Sequence, residues 1–157
     1  NSKVFEPDTT VTLKDTVFYN NLIVGHKYTV TGTLMDEETG KAIKDIDGNI
    51  VTASVEFVPE AACGTVDVEF TFAATELYGK TIVAFEKLLF NGTVIASHED
   101  INDEEQTTTV HNPEIMRTIA VSAVDEGKLI DASETSIIND TVVYRHLSTG
   151  HTYTQLG

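Results

Sequence analysis

Residues 82–109 bring together side-chain types that can handle protons around an amide. A glutamate closes the apolar run Val83-Ala84-Phe85-Glu86, an Asn91-Gly92 turn follows, then His98, then Gln106 at the head of Thr107-Thr108-Thr109. A carboxyl group flanked by valine, alanine and phenylalanine is costly to bury without a partner. Imidazole is the side chain best suited to take up and return a proton near neutral pH. Glu86, His98 and Gln106 therefore read as a proton-handling site built around a side-chain amide, chemistry that a protein performs on itself.

The elements that must position these groups are strands. Apolar residues alternate with polar ones in Val11–Tyr19, Lys27–Leu34, Val51–Phe57, Thr65–Phe72, Lys80–Phe85, Thr93–His98 and Gln106–Val110, with many β-branched residues. That period of two is the signature of half-buried strands. Turn residues separate the runs at Asn20-Asn21, Glu38-Thr39-Gly40, Asp47-Gly48-Asn49 and Asn91-Gly92, the last a strong two-residue hairpin signal. Helical periodicity is confined to a single expected turn in Ala73–Tyr78. The expected fold is an all-β, antiparallel sandwich of Ig-like type.

The chain also repeats itself. Lys3–Thr29 recurs as Lys128–Thr154 at a constant offset of 125 residues, with Asp15-Thr16-Val17 returning as Asp140-Thr141-Val142 and Tyr28-Thr29 as Tyr153-Thr154. A domain-sized, gapless repeat implies tandem sandwiches rather than a short-repeat solenoid. The expected division is a first domain over residues 1–111 and the opening strands of the next repeat over 112–157, with Asn112-Pro113 at the seam. The second copy carries an extra segment, Glu114–Ala123, ahead of the matched region; the first copy is expected to lack this opening strand within the present numbering.

Composition excludes several functions. With 25 acidic against 10 basic side chains in 157 residues, the net charge is −15, which repels nucleic acid and anionic lipid. No apolar run has the length of a membrane span. The lone Cys63 permits no intramolecular disulfide and, lacking a basic or histidine neighbour in sequence, reads as a structural thiol. The acidic loop Glu99–Glu105 lacks the glycine and terminal glutamate of an EF-hand and reads as a solvated turn; no metal and no cofactor are expected.

The motif Val83-Ala84-Phe85-Glu86, the run Asp15-Thr16-Val17-x-Tyr19, the pattern Leu22-x-x-Gly25-x-x-Tyr28-x-x-x-Gly32-x-Leu34, and His98-x-Asp100-x-Asn102-Asp103-x-x-Gln106-Thr107 resemble the ester-bond (T–Q) domains, or VaFE repeats, of Gram-positive adhesins. The resemblance covers essentially the whole chain. It implies a collagen-binding-B-like sandwich in a tandem-repeat stalk, outside the cell and anchored to a Gram-positive cell wall. It further implies an autocatalytic Thr–Gln ester with loss of ammonia, a single turnover rather than enzyme catalysis.

Carried over residue by residue, the acceptor is Gln106, the base His98, and Glu86 and Asp15 share the orienting and polarising roles. The threonine's equivalent in the second copy is Thr118, with Asp140 standing where Asp15 does. The implied partners are neighbouring repeats of the same protein and a host ligand presented elsewhere. Rival expectations are a ligand-binding adhesin module without cross-link chemistry, a hydrolase using His98 with a threonine or Cys63, and Thr118 of a neighbouring molecule filling the place beside Gln106.

Overall fold

The computed structural model describes residues 4–5, 10–130 and 135–157, with side chains described from residue 10 onward. Lys3, where the repeat match begins, lies outside them. The described residues form eleven strands and no helix: β1 (Val4–Phe5), β2 (Val11–Tyr19), β3 (Tyr28–Asp36), β4 (Lys41–Ala42), β5 (Thr52–Phe57), β6 (Gly64–Phe72), β7 (Thr81–Phe90), β8 (Thr93–His98), β9 (Thr107–Val110), β10 (Glu114–Ser122) and β11 (Ile138–Arg145). The segment Ala73–Tyr78 makes turns instead of the expected helical turn. Ala74 and Leu77 are buried there, and one turn cannot repay helix nucleation.

Two sheets face each other. In the larger, β7 pairs antiparallel with β3, whose other edge carries β5 and β4; the far edge of β7 is shared by β8 and β9, and β1 adds parallel to β9. The smaller sheet is the antiparallel pair β2–β6, in register from Val11↔Phe72 to Tyr19↔Gly64. Alternation follows the sequence: Val30 and Leu34 of β3, Val68, Phe70 and Phe72 of β6, and Ile82 and Ala84 of β7 fill the core between the sheets. Val11, Leu13 and Val17 of β2 pack against it. The result is an antiparallel, Ig-like sandwich.

Gly32 shows how closely the sheets approach. A Cβ there would come 2.3 Å from the Phe70 ring, so β3 leaves its side-chain position empty for the phenylalanine. Asn91 and Gly92 both have positive φ, 48° and 76°, and join Phe90↔Thr93 in a type I′ hairpin.

Beyond Pro113, β10 and β11 pair antiparallel with each other, and an irregularity between Ile115 and Arg117 shifts the register so that Thr118 faces Val142 and Ala120 faces Asp140. No helix among the described residues is long and apolar enough to cross a membrane.

Candidate functional site

Glu86 lies on the inward face of β7, in line with Ile82 and Ala84, and is only 3 % exposed. The Asn91-Gly92 hairpin folds β8 back so that His98 is the Cα partner of Glu86. Asp15 lies on the inward face of β2, between Leu13 and Val17. Gln106 enters from the opposite side: its backbone carbonyl accepts from Ala84 N–H at 3.3 Å, extending the β7–β9 ladder by one residue. The Gln106 amide donates from Nε2 to Glu86 Oε2 at 2.7 Å.

The acidic loop does the positioning. Asp100 Oδ1 accepts from Asn102 N–H at 3.0 Å, and Asp103 Oδ1 from Glu105 N–H at 2.8 Å. The Asp103 carbonyl accepts from Gln106 N–H at 3.2 Å and from the Thr107 hydroxyl at 2.6 Å. These nested Asx turns fix the angle at which the chain enters β9. The other oxygen of Asp103, Oδ2, lies 3.0 Å from His98 Nε2.

That contact corrects two expectations. The loop is more than a solvated turn, and the carboxylate that meets the imidazole is Asp103 rather than Glu86 or Asp15. Glu86 meets the Gln106 amide instead, and Asp15 adjoins Glu86. Asp103 was visible within the His98-x-Asp100-x-Asn102-Asp103-x-x-Gln106 motif. Its dense acidic neighbourhood hid it, since charge runs are ordinarily solvated.

Burial makes the cluster electrostatically unusual. Desolvation, then the adjoining Asp15 carboxyl and its charge, push the Glu86 pKa up to about 9, against the smaller opposing effect of the Gln106 hydrogen bond. Glu86 therefore holds a proton at neutral pH. Asp15 Oδ2, Glu86 Oε1 and Gln106 Oε1 are all buried with no hydrogen-bond partner among the described residues. Even with the proton that Glu86 carries, these three buried oxygens share a single donor, and a hydroxyl arriving among them would supply a second.

They open onto a cavity of about 480 Å³, lined by Leu13–Phe18 of β2 on one side and by Ala84, Glu86, His98, Asp103 and Gln106 on the other. The β2 edge along this cavity, opposite the edge paired with β6, carries no strand among the described residues. In the second copy, the strand corresponding to β2 is β11, and β10 lies on it with Thr118 facing Val142. Val142 and Asp140 are the counterparts of Val17 and Asp15. Directly opposed residues on antiparallel strands point to the same face. Laid along β2 in that register, a β10-type strand directs its threonine inward beside Val17 and sets a small alanine across from Asp15.

Thr118 and Asp140 themselves lie on β10 and β11, both exposed, and are not gathered with Gln106. Cys63 is exposed in the turn before β6 and lines no part of the cavity. Among the described residues no group of three or more histidine, cysteine, aspartate or glutamate side chains is arranged to hold a metal.

No curated protein sequence matches this chain. Among solved structures, it is similar in fold to a bacterial adhesin from Mobiluncus mulieris containing intramolecular disulfide, isopeptide and ester bond cross-links. In one crystal form of that adhesin the TM-score is 0.62 at 16 % identity, covering 76 % of this chain and 56 % of the other, so this chain spans little more than half of that structure. In a second crystal form the TM-score is 0.58 at 14 % identity, covering 90 % and 72 %. The family of T-Q ester bond containing domains matches the sequence over residues 1–110 and 114–157, which is almost its whole length and both copies of the repeat. This chain belongs to the T-Q ester bond containing domain family.

Proposed function

We propose that the chain is a stalk segment of an extracellular adhesin, anchored to a Gram-positive cell wall, whose sandwiches are each closed by an ester made once and without a cofactor. The hydroxyl oxygen of a threonine on the opening strand attacks Cδ of Gln106. The new Oγ–Cδ bond replaces Cδ–Nε2, and the amide nitrogen leaves as ammonia carrying the hydroxyl proton. His98 takes that proton and returns it to the leaving nitrogen, with Asp103 holding the imidazole in the required tautomer. Protonated Glu86 donates toward the amide oxygen as negative charge builds there. The two ends of a side-chain amide are interchangeable in orientation, and with Glu86 protonated the oxygen end satisfies both groups. Asp15 keeps the proton on Glu86 and accepts from the arriving hydroxyl.

The observation that carries this reading is the Gln106 amide hydrogen-bonded to a buried, proton-holding Glu86, beside Asp15 Oδ2 and Gln106 Oε1, which are buried with no hydrogen-bond partner among the described residues. Thr118 is the threonine of the second copy, and Asp140 its acid. Neighbouring repeats are the partners this role requires, and a host ligand would be bound elsewhere in the protein.

The test is a chain in which residues 1–125 are placed directly before residue 1. Residue 1 then occupies the repeat position of residue 126, so β10 becomes the opening strand of the downstream sandwich. Intact-mass spectrometry is expected to find the product about 17 Da light, the mass of one ammonia. Gln106→Ala in the downstream copy, or Thr118→Ala in the upstream one, removes the deficit. A full-mass product from the unaltered elongated chain would leave the ligand-binding sandwich as the better reading.

A further inference from the structure

The two copies of the repeat meet at a built seam, and the first copy carries the receiving half of the same seam uncovered. The Tyr78 hydroxyl, in the turn between β6 and β7, lies 3.1 Å from Ser148 Oγ and 3.1 Å from the Tyr153 hydroxyl. The His111 ring stacks on His146 with centroids 3.8 Å apart and planes 9° from parallel. The receiving element is the loop 146–153, and Ser148 within it is 6 % exposed.

Loop 21–28 is the counterpart of that loop at the repeat offset, and it has the same shape. Asn21 and His146 both have φ of 60°, and Gly25 and Gly150 have φ of 80° and 77°. Ile23 N–H donates to the Tyr28 hydroxyl at 3.1 Å, as Ser148 N–H does to Tyr153 at 2.9 Å. The loops differ in what covers them. Ile23, the counterpart of the buried Ser148, is 59 % exposed; Val24 beside it is 53 % exposed, as its counterpart Thr149 is also exposed. A preformed loop presenting an adjacent isoleucine and valine to water matches a surface built to be covered.

We infer that loop 21–28 is the docking face for a preceding copy of this domain. The Tyr78 turn of that copy packs on Ile23 and Val24, and its His111 lies over Asn21. At this junction Ile23 replaces the Ser148 hydroxyl while the Tyr28 hydroxyl keeps the place of Tyr153, so the contact is more apolar than the present seam. Such an interface is heterologous and propagates head to tail into an open array rather than closing on itself.

The inference is independent of the ester, and its test separates the two. In the elongated chain described above, in a Cys63→Ser background, Ile23→Cys is introduced into one copy at a time and its labelling by a bulky maleimide is timed. The downstream cysteine is expected to react about tenfold more slowly than the upstream one. Tyr78→Ala in the upstream copy is expected to restore the rate, and Gln106→Ala in both copies to leave the protection in place. Asn21→Cys provides a second probe where Ile23→Cys perturbs folding, since its counterpart His146 is half-buried under His111. In the 157-residue chain, Ser148→Cys is expected to label more slowly than Ile23→Cys. Equal rates at the two Ile23 positions, or protection that survives Tyr78→Ala, would overturn the inference.

Discussion

A carboxyl group buried against a second carboxyl keeps its proton in the folded chain and loses it when the chain unfolds. For Glu86 the pKa rises from 4.5 to about 9 on folding, so between those values the folded state binds a proton that the unfolded state has released. The sign follows directly: this contribution to stability is complete below about pH 4.5 and drains away as pH rises toward 9. Glu86→Gln keeps the shape without the titration. In the uncross-linked chain, denaturant unfolding of the two forms should diverge across that window by up to about 1.4 kcal/mol per pH unit, with the parent losing stability as pH rises. A pH-independent difference would remove the proton from Glu86.

At the same scale, His98→Ala in the elongated chain should slow ester formation by about 10²-fold or more, followed as ammonia loss over time. Asp103→Asn should slow it by on the order of tenfold, because an amide no longer selects the imidazole tautomer. An unchanged rate for Asp103→Asn would confine that residue to shaping the loop.

Among the elements, the hairpin and the inward face of β7 were legible because local chemistry dictates them. Asn91-Gly92 accepts positive φ at two successive residues, and the alternation about Ile82, Ala84 and Glu86 leaves one choice of buried face. Thr93–His98 and Val11–Tyr19 form strands with the boundaries that their patterning implies. Two features were not legible. Asp103 acts through a turn whose geometry depends on where β8 ends and β9 begins. Gly32 reads as a weak point in a strand until Phe70 of the facing sheet arrives over it. Gly32→Ala should therefore cost about 1–3 kcal/mol in chemical denaturation, since Phe70 has to move aside for the methyl group. A cost near zero would mean that the sheets separate freely at this point.

On the scale of the whole molecule, an ester joining the two ends of a sandwich closes a loop of roughly 100 residues, worth on the order of 4 kcal/mol by loss of unfolded-state entropy. With Cys63 as its lone cysteine the chain has no intramolecular disulfide for this purpose. The elongated chain should lose stability of that order on Gln106→Ala, measured as a fall in the melting temperature. It should also become sensitive to proteolysis under conditions where the cross-linked form is resistant. Together with the seam at Tyr78 and His111, the cross-link would carry tension through strands and covalent bonds rather than through flexible linkers.

Sequence alone determined the all-β class, the tandem repeat and the residue types of the site. Strand period, turn chemistry and repeat offset are local properties of a chain, and the family's motifs lie within short runs. Only the tertiary structure decided which acid meets which group. Glu86 and Asp15 come from strands in facing sheets, and their shared burial, not their spacing, puts a proton on Glu86, which meets the Gln106 amide. The turn between β8 and β9 decided that Asp103 meets His98, and contact across the seam that Ser148 is covered while its counterpart Ile23 stays exposed.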